Sequence, residues 1–438
     1  MSFSSIDALK CNKVYNLVKL LCIMKGIFVI LDGVADEPCQ VLGQITPLQA
    51  AKTPNLDEIA KKSKLDYCYP IKEGIIPESS SAVVSLFGYD YRTAFRGSLE
   101  AAGLGIKLNK GDLAFRTNFA TIDDLKNGNI LDSRAGRTLT TKEALILSKA
   151  INDGVNLPFK FEFYSGLQHR GVLVFRGGFS DNLSGTDPFY GSGFAKSVSN
   201  PKVIYSVPLD EEDDSKLSAE LVNKFVRESH EILKNHPINI ERAKKGLYPA
   251  NFILCRDPGN SPISFKKLKG KWMALGYNPL EIGISKAAKM EIWKFKYPKM
   301  KGIDVYANLN LGLYKAIRHA TKMIKRKWKK YDYFYVHFKE TDTPGHDNKP
   351  LEKVKMIELI DKKFFSYIKW AVEKYELKLV LTADHTTSCR MKAHSEKPVP
   401  VLSYPGDKIG DRRFIEEEGL KGRKILARKL LQECLFGK

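Results

Sequence analysis

Residues 331–338 read YDYFYVHF, residues 339–347 read KETDTPGHD, and residues 378–394 read KLVLTADHTTSCRMKAH. The first stretch is a strand-length run rich in aromatic and β-branched residues, and it empties into a loop carrying Asp342 and His346. The third opens as a second strand, KLVLTAD (378–384), and runs on through Asp384 and His385 to His394. Between the two strands Val354, Ile357, Ile360, Phe364, Ile368 and Val372 recur at helical spacing, which predicts an amphipathic helix over 352–375. Strand, helix and strand make a βαβ unit, so the fold class is α/β with a sheet that is at least partly parallel.

Working outward, GIFVIL (26–31) predicts a third buried strand, ending at Asp32. Metal-type side chains then sit just past three strands: Asp32; Asp342 and His346; Asp384 and His385, with His394 closing that loop. Open α/β sheets bind ligands outside the carboxyl ends of their strands, so these segments are expected to converge. Either short motif alone is more often a chance pairing in a surface loop; the joint occurrence is what carries weight. Neutral imidazole with carboxylate suits Mn²⁺ or Zn²⁺, whereas oxygens alone would suit Mg²⁺. The set is too large for one tetrahedral ion with an open position, so two divalent ions are the simpler count. A pair about 3.5–4 Å apart can clamp both the entering and the leaving oxygen of a displacement at phosphorus.

Such a displacement calls for a hydroxyl at a helix N-terminus. PESSSAVVSLFGYD (77–90) reads as a loop opening into a short helix and supplies Ser79, although one of these serines could serve only as an N-cap. The central block alternates apolar runs (113–123, 170–178, 201–209) with turns and carries a helix expected over 216–235; a further helix is expected over 54–63. Its candidate arginines are Arg116 in AFRTNF, Arg134 and Arg137 in SRAGR, Arg170 in QHRG and Arg256 in LCRDPG. Singly each reads as a surface charge; together they predict an anion pocket facing the metals.

The 438 residues predict two or three domains. A net charge of +21 concentrates anions, of which nucleic acid and a small phosphorylated acid are two candidates. GxxxxGK[ST] and GxGxxG are both absent, and KMIKRKWKKY (322–331) reads as the solvated end of a helix, so neither nucleic acid nor membrane is an expected partner. Seven scattered cysteines without a CxxC pair argue against a disulfide framework and a zinc–thiolate site, and fit a reducing cytoplasm. The apolar stretch 14–31 is broken by Lys19 and Lys25 and is better split at Met24, leaving residues 1–23 as an extension.

The set resembles the archaeal-type cofactor-independent (2,3-bisphosphoglycerate-independent) phosphoglycerate mutases of the alkaline phosphatase superfamily. The stretches that carry the resemblance are MKGIFVILDGVADEP, ITPLQAAKTPNLDEIA, SLFGYD, RGSLEAAGLGIKLNKGDLAFRTNFATID, RAGR, HRGVLVFRG, GTDP, TDTPGHD, TADHTT and HSEKPVPV, from about Met24 to Leu402. The resemblance implies one metal held by Asp342, His346 and His394, and another held by Asp32, Asp384, His385 and the nucleophile Ser79, with Mn²⁺ first and Mg²⁺, Co²⁺ or Zn²⁺ as alternatives. It implies an alkaline-phosphatase-like core of residues 24–95 and 265–438, with an α/β substrate domain inserted at 96–264. It also implies substrate contacts from Arg116, Arg134, Arg137, His169, Arg170, Asp187 and Arg256. The reaction implied is interconversion of 3-phosphoglycerate and 2-phosphoglycerate through phosphoserine.

The chain departs from the family at three places. Ser80 follows Ser79 where Asp is common, Asp257 follows Arg256, and Ile282 aligns with a family lysine, for which Lys286 one helical turn on is the candidate substitute. A metal-dependent phosphatase or phosphotransferase on the same core, homoserine-kinase-like for example, and a basic binding protein remain open alternatives at this level.

Overall fold

The central strand of the larger sheet, Gly26–Leu31, is buried along its whole length and flanked in parallel by Tyr333–Phe338 and Lys378–Thr382. Such continuous apolar strands belong inside sheets covered on both faces. The computed structural model describes residues 25–190, 198–406 and 410–437, so the expected extension at 1–23 lies outside the described residues. Beyond Tyr333–Phe338 the sheet continues in parallel through Trp272–Gly276 and Glu291–Lys294. Beyond Lys378–Thr382 it passes through Val399–Tyr404, the only strand of this sheet antiparallel to its neighbours, to Lys64–Tyr69 and Lys424–Leu426. The eight-stranded sheet is therefore mostly parallel, as expected.

The helix expected over 352–375 is present but interrupted. Pro350–Ile360 and Ser366–Lys374 are α-helical, and Asp361–Phe365 between them is a π-turn. The widened turn places the buried Asp361 carboxylate over the start of the Pro54–Ala60 helix, where it accepts from the Leu56 N–H at 2.7 Å and the Asn55 side-chain amide at 2.9 Å. Free N–H groups at a helix N-terminus need such a partner, and spacing of apolar residues does not report it.

A second sheet, antiparallel, holds Leu113–Ile122 between Arg170–Phe175 and Phe252–Gly259, with Phe161–Ser165 and Ile130–Asp132 at its edges. The helices Thr141–Gly154 and Asp213–Lys234 pack on it around a separate apolar cluster that includes Phe119, Phe163 and Phe225. The run 201–209 forms only isolated bridges, at Lys202 and Pro208, and leaves Val207 and Leu209 exposed. Proline at 201 and at 208 removes the donors that a strand would need there.

The Arg96–Leu104 helix lies between the second sheet and the Pro279–Ala287 helix of the larger sheet's side. A Cβ at Gly103 would fall 1.9 Å from the Pro279 carbonyl oxygen, and one at Gly283 would fall 1.9 Å from that of Leu99. Only glycine allows this backbone approach. No described helix is long and apolar enough to cross a membrane.

Candidate active site

Asp32, Asp342 and Asp384 each lie within four residues of the end of a parallel strand. The Asp32 N–H still donates to the Phe338 carbonyl at 2.9 Å, and Thr341 Oγ1 donates to the Asp32 carbonyl at 2.6 Å, so the first two loops leave the sheet together. Gly33 follows at φ +54° and gives its N–H to Asp384 Oδ1 at 3.1 Å; a Cβ there would collide with Thr387 Oγ1 and Asp342 Oδ1. The third loop folds back as a small hairpin, Thr386–Ser388 against Ala393–Ser395, which carries His394.

Two ligand-type clusters result, Asp32 with Asp384 and His385, and Asp342 with His346 and His394, the donor atoms of each lying within 4.8 Å of one another. The imidazoles are oriented from behind. His346 Nδ1 faces the Lys392 carbonyl at 3.1 Å and His394 Nδ1 faces the Pro77 carbonyl at 2.8 Å, which leaves both Nε2 atoms toward Asp342. Thr387 Oγ1 donates to Asp342 Oδ1 at 2.8 Å, so it accepts from His385 Nδ1 at 3.0 Å, and His385 Nε2 is free to face Asp32 Oδ1 at 3.2 Å. Burial alone would raise the Asp342 carboxyl, but His346, His385 and His394 outweigh it and hold the group well below the carboxylate range.

The donor chemistry fits divalent cations. Among the described residues Asp32 Oδ1 and Asp384 Oδ2 are buried and accept no hydrogen bond, and three aspartates gathered here are costly unless more positive charge than one lysine compensates them. The Lys339 ammonium lies against Asp32 and 3.2 Å from Glu281, whose carboxyl burial pushes up to about 7. A third grouping, Asp36 with Cys39 and Cys389, already holds a cation: Nζ of the fully buried Lys353 is 2.8 Å from Asp36 Oδ2.

Ser79 is the first residue of the Ser79–Leu86 helix, and its Oγ lies 3.2 Å from His385 Nε2. Ser81 turns its hydroxyl to the Glu78 carbonyl, and Ser80 does not reach the cavity wall. Of the three serines, Ser79 is thus the one placed at the clusters.

Opposite stands a wall of arginine. Arg116, Arg134, Arg137, Arg170 and Arg256 all line the cavity that Ser79, Asp342, His346 and His394 also line. Arg116 and Arg256 are direct cross-strand neighbours, and Arg170 lies opposite Asn118, two residues along the same central strand. Like charges so placed repel. Burial, then Arg116 and Arg96, push Arg256 down to about 9, and burial followed by Arg116 pushes Arg170 down to about 10. Among the described residues Arg116 Nη1 and Arg256 Nε and Nη1 have no hydrogen-bond partner, while the Arg256 guanidinium sits 3.2 Å over the Tyr190 ring. His169 lies among them, both ring nitrogens without a hydrogen-bond partner among the described residues; burial, Arg170, Arg134 and Arg116 drive its pKa well below 6.5, so it is neutral.

Two expected residues are not brought to the cavity. Asp187 is buried behind it, accepting from the Phe189 N–H at 3.1 Å; burial raises its carboxyl pKa and the Arg256 guanidinium opposes that rise. Lys286 is a correction: it lies on the exposed side of its helix and donates to the Ala102 carbonyl at 2.6 Å, so it does not replace the lysine absent at Ile282. One helical turn carries the side chain along the helix surface and not into the site. Among the described residues the lysine that does line the cavity is Lys339. The rule of looking past strand ends could have marked Lys339 and Glu340. Arg96, which ties Glu78 (3.3 Å) to Glu100 (3.0 Å), left no sequence signal of its own.

The architecture and the strand-end site define an α/β enzyme of the kind that binds its ligand outside the carboxyl ends of parallel strands. The family model for 2,3-bisphosphoglycerate-independent phosphoglycerate mutase matches residues 60–239. The mutase of that name from Thermococcus kodakarensis is 37% identical over 407 residues, covering 91% of this chain and 93% of the relative. The one from Pyrococcus abyssi is 38% identical with the same coverage. A solved structure titled cofactor-independent phosphoglycerate mutase from Thermoplasma acidophilum superposes with a TM-score of 0.50 at 28% identity, covering 93% of this chain and 98% of that one. A Pyrococcus horikoshii protein of solved structure superposes with a TM-score of 0.69 at 29% identity, covering 94% and 96%. This chain belongs to the 2,3-bisphosphoglycerate-independent phosphoglycerate mutase family.

Proposed function

We propose that this chain interconverts 3-phosphoglycerate and 2-phosphoglycerate without a bisphosphoglycerate cofactor, with Ser79 carrying the phosphoryl group in transit. The observation that carries the reading is the position of Ser79, between two carboxylate–imidazole clusters on one side and buried arginines on the other. Asp32, Ser79, Asp384 and His385 would hold one divalent ion and Asp342, His346 and His394 a second, Mn²⁺ being the best match to the donors and Mg²⁺, Co²⁺ or Zn²⁺ the alternatives; bound there, the ions supply positive charge at phosphorus and lower the serine pKa.

The chain's own residues do the rest. Arg116, Arg134, Arg170 and Arg256 bind the carboxylate and phosphate oxygens of a small phosphorylated acid, while Arg137 is held by Asp347. The neutral His169 accepts, at a ring nitrogen, the proton of the glycerate hydroxyl that attacks phosphorus once the glycerate has turned, and that proton ends on Ser79 as its bond to phosphorus breaks. Asp187 supports Arg256 from behind. Residues 24–95 and 265–438 make up the catalytic, alkaline-phosphatase-like core, and 96–264 form the inserted substrate domain. The described cysteines are all unpaired, which fits a reducing cytoplasm. The names of the relatives above favour a mutase over a phosphatase or kinase on the same core.

Ser79→Ala tests the proposal. The variant is expected to lose at least about 10³-fold in formation of 2-phosphoglycerate from 3-phosphoglycerate, and to lose acid-stable labelling by phosphate-labelled substrate. Retention of a tenth of the activity would remove Ser79 from the role.

A further inference from the structure

Between the Ile130–Asp132 strand and the Thr141–Gly154 helix, three successive residues are left-handed: Ala135 (φ 45°), Gly136 (φ 65°) and Arg137 (φ 53°). For non-glycine residues that region costs of order 1–3 kcal/mol each and persists only where the surroundings enforce it. Here they do. Asp132 Oδ1 accepts from the N–H groups of Arg134 (2.7 Å) and Gly136 (2.8 Å). Behind the turn the buried Arg242 donates to Thr138 Oγ1 at 2.8 Å, to the Thr138 carbonyl at 3.3 Å and to the Ala135 carbonyl at 3.4 Å.

The product of this construction is the aim of one side chain. Arg137, which lines the cavity, has its Nη1 2.5 Å from both carboxylate oxygens of Asp347, and Tyr306 Oη donates to Asp347 Oδ2 at 2.8 Å. Asp347 directly follows His346, and Tyr306 stands in the first turn of the Val305–Lys327 helix. Arg137 thus comes from the side of the antiparallel sheet, and its two partners from the side of the parallel sheet. Among the described residues the three side chains make no hydrogen bond except to one another; they join the two walls of the cavity.

We propose that Arg137, Asp347 and Tyr306 form a clasp that holds the two walls together while Ser79 carries the phosphoryl group, and so decides between mutase and hydrolase outcomes. The inference rests on the function proposed above. With the clasp shut, a glycerate hydroxyl oxygen forms the new bond to phosphorus, the bond from phosphorus to Ser79 Oγ breaks, and the hydroxyl proton ends on Ser79. With it open, water supplies the oxygen instead. Inorganic phosphate forms, Ser79 recovers its proton from that water, and free glycerate leaves.

The test measures inorganic phosphate and 2-phosphoglycerate together, from 3-phosphoglycerate and Mn²⁺-loaded enzyme, for wild type, Asp347→Asn and Tyr306→Phe. The ratio of phosphate to 2-phosphoglycerate is expected to rise at least tenfold in Asp347→Asn and about threefold in Tyr306→Phe, which keeps the Arg137–Asp347 pair. If both products fall in parallel and the ratio stays at the wild-type value, the clasp is wrong and the residues only position the loop. Should Asp347→Asn lose metal or fold, the ratio in Tyr306→Phe decides. A wild-type enzyme that makes no 2-phosphoglycerate would overturn the proposed function instead, before any variant is compared.

Discussion

The two walls of the cavity solve opposite problems. On the parallel sheet, Asp32, Asp342 and Asp384 leave from strand ends, where the backbone has stopped pairing and loops can turn toward one another. On the antiparallel sheet, Arg116, Arg170 and Arg256 project from within paired strands, fixed by register alone. One wall gathers anionic and imidazole groups that a cation would satisfy; the other gathers cations that an anion would satisfy. Each carries buried polar atoms without a hydrogen bond among the described residues. The difference teaches that neither wall is built for its own stability, and that both are completed only by what binds between them.

This contrast can be broken at three points, taken here from the largest expected effect to the smallest. Removing metal with a chelator, or substituting Asp384→Asn, should abolish the reaction or lower kcat by at least about 10²-fold, with divalent-ion content by elemental analysis falling in step. A fully active metal-free protein would show that the acidic wall needs no cation. Arg256→Met should raise KM roughly 10–100-fold, the equivalent of about 1.5–3 kcal/mol of charged hydrogen bonding, with metal content unchanged. In anion-free buffer the same variant should melt higher than wild type, because it deletes a buried guanidinium pushed down to about 9. A lower melting temperature there would mean that the arginine wall is self-supporting.

The third point concerns pH. His169 has a folded pKa far below 6.5, so below that pH the unfolded chain binds a proton that the fold refuses. Its share of stability is complete above pH 6.5 and is lost on acidification. His169→Gln should remove this term, leaving wild type to lose about 1.4 kcal/mol per pH unit below about pH 6.5 relative to the variant, read from denaturant melts of the metal-free proteins. Parallel pH curves for the two would place His169 outside the buried cationic environment.

Much of the acidic wall was legible in the sequence. Strand-length apolar runs ended at Asp32, before Asp342 and at Asp384, and ligands gather where parallel strands end. The arginine wall was legible only as a list, since no spacing shows that Arg116 and Arg256 are cross-strand neighbours. Lys286 shows the limit: a helical-turn argument from Ile282 kept it near the site, while the helix face it occupies points to the Ala102 carbonyl. Asp361 shows the same limit in the fold, where capping a distant helix outweighed regular α-helical continuation.

By itself the amino-acid order determined the βαβ pattern, the strand-end donors and the serine that opens a helix, because each follows from local periodicity and residue chemistry. Only the tertiary structure decided which lysine faces the cavity, which serine meets His385, and that Arg137 reaches Asp347. These depend on strand register, helix rotation and a strained turn, and such long-range geometry is fixed by packing between segments that are hundreds of residues apart in the chain.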